Sequence, residues 1–163
     1  MRRGDRKVTD PSELRAILEK ADVCHLAMSD SNVPYLVTMN FGLKKDKNLV
    51  LYFHSANEGK KIDILRTNSS VCFGADIDHK LLISQNGTSC GFSMRYRSVV
   101  GTGSVSFITE RSEKHEALEA IMNHYAPELP YSFKEEMIER TTILRLDVKA
   151  ITGKRRPDLG EVP

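Results

Sequence analysis

The sequence predicts a mainly β protein, a barrel or sandwich of antiparallel-length strands with helical appendages. Several short apolar runs between residues 23 and 108 are rich in aliphatic, β-branched and aromatic side chains, and polar or glycine-bearing turns separate them. The long alternating run at 96–108 carries Gly101 and Gly103, as a bent strand or a barrel corner requires. Helical periodicity is confined to a few segments.

The elements follow in order. Asp10 suits an N-cap, Pro11 the first helical position, and Glu13 a capping box, so a helix with Leu14, Ile17, Leu18 and Ala21 on one stripe opens the chain. Strands are expected at 23–28, 34–41 and 48–54, joined by a polar turn at 29–33 and a glycine- and lysine-bearing loop at 42–47. A short helix at 59–68 presents Ile62 and Leu65 to the sheet, and a fourth strand covers 70–75. The segment 76–93 has no clear period, although Leu81-Leu82-Ile83 reads as strand and Asn86-Gly87 as turn. After the strand at 96–108, a helix at about 110–125 carries Ala117, Leu118, Ile121, Met122 and Tyr125 on its apolar face. Ser132 and Glu135 resemble a second capping box, opening a short helix with Phe133, Met137 and Ile138 inward. A half-buried strand at 142–151 and a basic tail at 153–163 end the chain. A length of 163 residues fits one domain, 1–163, preceded by an arm at 1–9.

Charge and composition narrow the function classes. A formal net charge of +2 gives no general pull toward nucleic acid or membrane surfaces. No apolar run approaches the length of a membrane span. The basic start, Met1 to Arg6, has no apolar stretch behind it, and a cytoplasmic protein is expected. Cys24, Cys72 and Cys90 form no C-x-x-C pair, and the five histidines show no metal-ligand spacing, so no metal is expected. Gly101-Thr102-Gly103 continues into strand, against a dinucleotide fingerprint.

Three clusters remain. The stretch 49–66 reads as a strand, a small polar turn and a helix start: Phe53-His54-Ser55, then Gly59-Lys60-Lys61. A helix N-terminus offers free N–H groups and the positive end of its dipole, which suit a phosphate. Lysines there have the wrong sign for the dipole, and they either face an anion or are plain solvated surface. In Met94-Arg95-Tyr96-Arg97-Ser98, arginines flank a tyrosine at a strand start, as a charged strand edge also would. In the third cluster, polar Thr38 and Asn40 lie among Leu36, Val37 and Met39, where a planar heteroaromatic ring would supply both an apolar face and hydrogen-bonding edges.

These clusters occur together in one known family. The chain resembles the FMN-binding split-barrel superfamily of pyridoxamine 5′-phosphate oxidase, and within it the 5-nitroimidazole-resistance (Nim) type of flavin-binding proteins. The resemblance rests on Met1-Arg2-Arg3 with Asp5-Arg6, Val23-Cys24-His25-Leu26-Ala27-Met28, and Pro34-Tyr35-Leu36-Val37-Thr38-Met39-Asn40-Phe41-Gly42. It continues through Leu51-Tyr52-Phe53-His54-Ser55-Ala56, Gly59-Lys60-Lys61, Val71-Cys72-Phe73, the run 94–103 and Ile151-Thr152-Gly153-Lys154-Arg155. It implies a six-stranded antiparallel split barrel and a homodimer with flavin at the subunit interface. FMN is the implied cofactor, with FAD the alternative. Its phosphate would be held by His54, Ser55, Lys60 and Lys61, with Phe53 and Gly59 framing them, and by Ser98 with Arg97 beside it. The ring would lie against Leu36, Val37, Thr38, Met39 and Asn40, with a contribution from the partner around 94–96, which includes Arg95 and Tyr96.

The resemblance also implies that His54 lies near the ring and its substrate, as the one catalytic candidate. The chain contains no tryptophan and lacks the oxidases' C-terminal arginine–tryptophan signature, which argues against vitamin B6 oxidation. The expected function is therefore an FMN-dependent oxidoreductase acting on a small molecule such as a nitroaromatic. A flavin carrier or sensor without turnover and a haem-binding split barrel are the alternatives, and neither nucleic acid nor membrane is expected as a partner.

Overall fold

The computed structural model describes residues 3–44, 48–84 and 87–156. Eight strands and four α-helices follow one another along them: β1 (Lys7–Val8), α1 (Pro11–Lys20), β2 (Cys24–Asp30), β3 (Val33–Met39), β4 (Gly42–Leu43), β5 (Val50–Ser55), α2 (Lys60–Thr67), β6 (Ser70–Leu82), β7 (Ser93–Ile108), α3 (Arg111–Tyr125), α4 (Glu135–Arg140) and β8 (Thr142–Arg156). Hydrogen bonding orders the strands β3-β2-β6-β7-β8-β5-β4, with β1 paired to β8. The β1–β8, β2–β3, β4–β5 and β5–β8 pairings are all antiparallel. The mainly β, antiparallel class is as the sequence predicts, but the strand count is eight rather than six. The two extra strands, β1 and β4, are pairings of two residues each, too short to carry an alternation pattern.

The described residues form two compact units. The larger spans 22–73 and 101–150. In it, β2 and β3 make a hairpin running from Cys24 opposite Met39 to Asp30 opposite Val33. Its two-residue turn holds Ser31 at φ 50° and Asn32 at φ 70°, the left-handed pair that suits the twist of a tight hairpin. Strand β5 lies antiparallel to β8, from Val50 opposite Asp147 to Ser55 opposite Thr142. The core is built on Leu26, Phe41, Leu51, Tyr52, Phe53, Ile62, Ile143, Leu144 and Leu146, all fully buried. Helix α3 closes over Val50, Tyr52 and Ile143 through Ala117. A Cβ at Gly42 would overlap the backbone of Ala120 and Ile121, so only glycine lets β4 approach α3 this closely. The Tyr125 hydroxyl donates to the carbonyl of Asp22 at 2.8 Å and accepts the N–H of Phe41 at 3.1 Å. At Gly101 a Cβ would stand 2.5 Å from the Phe73 ring, which is the close approach that the glycines of the 96–108 run predict.

Charged groups line one side of this core. The Arg145 guanidinium donates to Glu113 Oε1 at 2.6 Å and to Asp147 Oδ1 at 2.9 Å. The Tyr52 hydroxyl donates to the same Glu113 oxygen at 3.3 Å. Burial, and then the negative charge of Glu116, push the Tyr52 phenol above its ordinary pKa. The hydrogen bonds that Arg145 donates to Asp147 and Glu113 hold it firmly charged.

The smaller unit gathers described residues within 1–21, 74–100 and 151–163. Asp10 caps α1 by accepting the N–H of Glu13 at 2.9 Å, and Leu14, Ile17 and Leu18 form the buried stripe. Gly153 lets β8 come within 2.7 Å of Leu14 and 2.8 Å of Val8, measured from where a Cβ would stand. Arg155 donates to Glu13 at 3.0 Å, so the same face of β8 also holds α1 by charge.

Several sequence expectations change. Strand β6 runs on to Leu82, where the sequence period fails because Asp78 adopts φ 60° within the strand and interrupts the alternation. No Ser132 cap forms: α4 starts at Glu135 behind Lys134 with no side-chain cap, and Met137 is exposed while Ile138 is buried. Residues 153–156 belong to β8 rather than to a tail. The rest of the expected tail (157–163), Met1 and Arg2, loop residues 45–47 and Asn86 lie outside the described residues.

Candidate functional site

In the larger unit, β5 ends at a buried serine. Val50 to Phe53 are buried, His54 is exposed, and Ser55 turns inward. The Ser55 Oγ is shut off from solvent and has no hydrogen-bond partner. A buried hydroxyl without a partner costs about 1–3 kcal/mol, so its retention calls for an explanation. The imidazole of His54 makes no hydrogen bond or ion pair among the described residues. Downstream, Thr142 Oγ1 and Asn57 Oδ1 meet at 2.6 Å and fix the loop that leaves β5.

That loop delivers α2. Gly59 sits at its N-cap with φ 121°, and no side chain caps the helix. Its carbonyl accepts the N–H groups of Ile62 (2.8 Å) and Asp63 (3.2 Å) as the helix begins. The dipole's positive end is therefore left to solvent or to a ligand. Lys60 Nζ lies 3.4 Å from Asp30 and 5.1 Å from the centroid of the Tyr35 ring. Lys61 is half-buried and has no carboxylate partner among the described residues. Tyr35 and Asp30 are contacts that the sequence reading missed; the tight turn that makes them neighbours of Lys60 depends on two positive-φ residues that are not glycine.

Strand β3 lies at one end of the sheet order, with β2 as its neighbour. Leu36, Thr38 and Asn40 are exposed, while Met39 is buried and Val37 half-buried. His25 Nδ1 and Thr38 Oγ1 meet at 3.1 Å across the hairpin. The structure thus presents 36, 38 and 40 on one open face, with an apolar side chain and two polar ones. An edge strand also offers unpaired backbone N–H and C=O groups to a ligand.

In the smaller unit, Arg95, Tyr96, Arg97 and Ser98 are all half-buried in β7. Arg97 donates to Asp78 Oδ2 through Nε at 2.7 Å and pairs with it through Nη2 at 2.5 Å. That hydrogen bond holds the Asp78 carboxyl below its usual range. Tyr96 and Ser98 lie on the opposite face: Lys154 Nζ stands 5.8 Å from the Tyr96 ring centroid, and Ser98 Oγ donates to the Lys154 carbonyl at 3.4 Å. The Arg156 Nε, two residues along β8, is buried with no hydrogen-bond partner. Arg156 falls in the stretch the sequence reads as a tail, where nothing marks it for burial. No group of three or more His, Cys, Asp or Glu residues capable of holding a metal occurs among the described residues.

Known proteins share this family and fold. The sequence profile of pyridoxamine 5′-phosphate oxidase matches residues 10–155. The chain belongs to that family. It is similar to the crystal structure of a Bacteroides thetaiotaomicron protein put forward as a 5-nitroimidazole antibiotic resistance protein, with 34% identity, 91% of this chain and 85% of that one covered, and a TM-score of 0.79. An FAD- and haem-binding protein from Mycobacterium smegmatis shares the fold at 19% identity over 97% of this chain and 76% of that one, TM-score 0.79. The flavocytochrome Anf3 from Azotobacter vinelandii shares it at 21% identity over 93% of this chain and 69% of that one, TM-score 0.75. Among curated protein sequences, none matches. No helix of the described residues is long and apolar enough to cross a membrane.

Proposed function

We propose that the protein binds FMN as a homodimer and reduces a small electrophile of the nitroaromatic class. The observation that carries the reading is the buried, unpartnered Ser55 hydroxyl, one loop upstream of the uncapped α2 N-terminus with Lys60 and Lys61. A phosphate fits this donor set: it accepts from a hydroxyl, from helix N–H groups and from ammonium groups. From the family resemblance Ser98 is proposed as an anion ligand of the smaller unit, whereas Arg97 pairs with Asp78 on the opposite face of β7. The open face of Leu36, Thr38 and Asn40 suits the flavin ring. The FAD- and haem-binding protein and the flavocytochrome that share the fold support a prosthetic group here, and the nitroimidazole-resistance relative supports the substrate class.

Bound flavin supplies the electron transfer. The chain's own residues position and neutralise it. Lys60 and Lys61 offset phosphate charge, and Ser55 gains the acceptor it lacks. His54, exposed and unengaged, would orient a substrate oxygen or deliver a proton to it from an imidazole nitrogen.

The test is flavin binding to the purified protein. Lys61→Ala is expected to weaken FMN by about 10- to 100-fold, the range of one charged hydrogen bond, and to leave riboflavin affinity unchanged. Equal FMN affinity in the variant and the parent would overturn the phosphate assignment. For turnover, the reduced holoprotein is mixed anaerobically with a nitroimidazole; reoxidation no faster than that of free reduced FMN would refute the reductase activity.

A further inference from the structure

The open face of the β2–β3 hairpin carries a histidine that has no part in the function proposed above. Alternation along β2 buries Cys24, Leu26 and Met28 and turns His25, Ala27 and Ser29 to the other side. The register sets His25 directly opposite Thr38, and Ala27 opposite Leu36. Directly opposed residues share a face, so His25 stands on the side where Leu36, Thr38 and Asn40 are exposed. The two side chains meet, with His25 Nδ1 and Thr38 Oγ1 at 3.1 Å.

That contact couples a group with one movable proton to a group with two protonation states. While Nδ1 is bare it accepts the Thr38 O–H, and only the lone pairs of Oγ1 are left for a ligand. Once Nδ1 carries a proton it donates to Oγ1, and the Thr38 O–H is released to donate elsewhere. Protonation of His25 thus turns Thr38 from an acceptor into a donor on the open face. Imidazole is the side-chain group whose ordinary pKa, about 6.5, places such a change near neutral pH.

The strands on either side of β2 add little charge to this face among the described residues of the larger unit. Strand β3 contributes Leu36 and Thr38, while its Tyr35 lies opposite Met28 on the other face. Strand β6, the other neighbour of β2, turns Cys72 outward between buried Val71 and Phe73. Lys60 of α2 meets Asp30 and Tyr35, both on the face away from His25.

We propose that His25 is a positioning residue for the flavin ring, acting through Thr38: protonated His25 directs the Thr38 hydroxyl to donate to an acceptor atom of the ring. The proposal rests on the flavin reading of this face. A flavin ring offers carbonyl and ring-nitrogen acceptors as well as an N–H donor, so a hydroxyl of set direction selects which edge is held. With Thr38 as donor, an acceptor edge is held, and ring binding strengthens as pH falls through the imidazole range.

Riboflavin is the probe, because it has the ring and no phosphate whose own titration would enter. The wild-type protein is expected to bind riboflavin about 2- to 10-fold more tightly at about pH 5.5 than at about pH 8, the range of one neutral hydrogen bond. Thr38→Val and His25→Gln, each checked by thermal unfolding, are expected to bind it equally at both. In the wild-type protein at the higher pH, nitrogen NMR is expected to show His25 protonated at Nε2 and bare at Nδ1. A wild-type riboflavin affinity that does not vary with pH overturns the proposal. So does a pH dependence that survives in Thr38→Val, or a neutral imidazole protonated at Nδ1. Any of these results with FMN still bound removes the role of His25 and leaves the flavin reading standing. If neither FMN nor riboflavin binds, the flavin reading falls and this role falls with it.

Discussion

Strand β8 carries arginines in opposite circumstances. Near its start, Arg145 is enclosed by Glu113 and Asp147, with Tyr52 donating to the same glutamate. At its end, Arg156 has no acceptor at all for its buried Nε. The same contrast separates the two longer helix starts of the first half of the chain. Asp10 caps α1, whereas α2 begins at Gly59 with no cap and a lysine in each of its first two positions. Where the chain supplies its own counter-group, the charge serves the fold. Where it withholds one, the fold bears a cost that a ligand can offset, and such positions are where binding is to be sought.

Substitutions can break that contrast. The largest effect is expected at Arg145: Arg145→Met strands Glu113 beside Tyr52 and should lower stability by about 2 kcal/mol, or roughly 4–8 °C in Tm, read by thermal unfolding. Flavin retention at low temperature should not change. An equal loss of stability from Arg156→Gln would erase the distinction between the two ends of the strand. A smaller effect, about 1 kcal/mol, is expected at Tyr52. Its raised pKa means that the folded state holds the phenolic proton more tightly than the unfolded state does. The stabilisation is therefore complete below the unfolded value of about 10 and is lost as pH rises through the folded value. Tyr52→Phe should make stability less steep above that pH in alkaline unfolding curves, while costing the Glu113 hydrogen bond at neutral pH.

The smallest effect on stability, and the most telling, concerns Ser55. Removing an unsatisfied buried hydroxyl leaves stability unchanged or raises it by less than about 1 kcal/mol. Ser55→Ala is expected to do this while weakening FMN, a trade measured by denaturant unfolding alongside flavin titration. If the alanine form is clearly less stable, Ser55 serves the fold and the contrast fails there.

Much of this was legible in the residues. Helix α1 shows in Asp10, Pro11 and its apolar stripe because capping and periodicity are local signals. Strands β2, β3 and β5 show for the same reason. The bend glycines at 101 and 103 were readable as close approaches, though what approaches them was not. Other features depend on partners distant in sequence. The carboxylate that holds Arg97 is Asp78, within a stretch whose alternation that residue itself disrupts. Arg156 reads as part of a basic tail until the strand is seen to continue through it. The α4 start failed because Ser132 has the right type and spacing, yet the helix begins only after Lys134. Pattern locates an element; it does not say which charges its neighbours will neutralise.

The left-handed pair Ser31 and Asn32 bears on how the chain folds. The hairpin it closes joins residues adjacent in sequence, while the β5–β8 ladder joins strands separated by three α-helices and the long β6 and β7. Hairpins form in about 1–10 μs, whereas pairings of high sequence separation must first overcome a larger loss of chain entropy. The edge that offers Leu36, Thr38 and Asn40 thus belongs to the part of the sheet expected to form earliest. A chain still assembling its later strands is expected to have its first hairpin in register, and the slow step of refolding is expected in the return of β8 to β5.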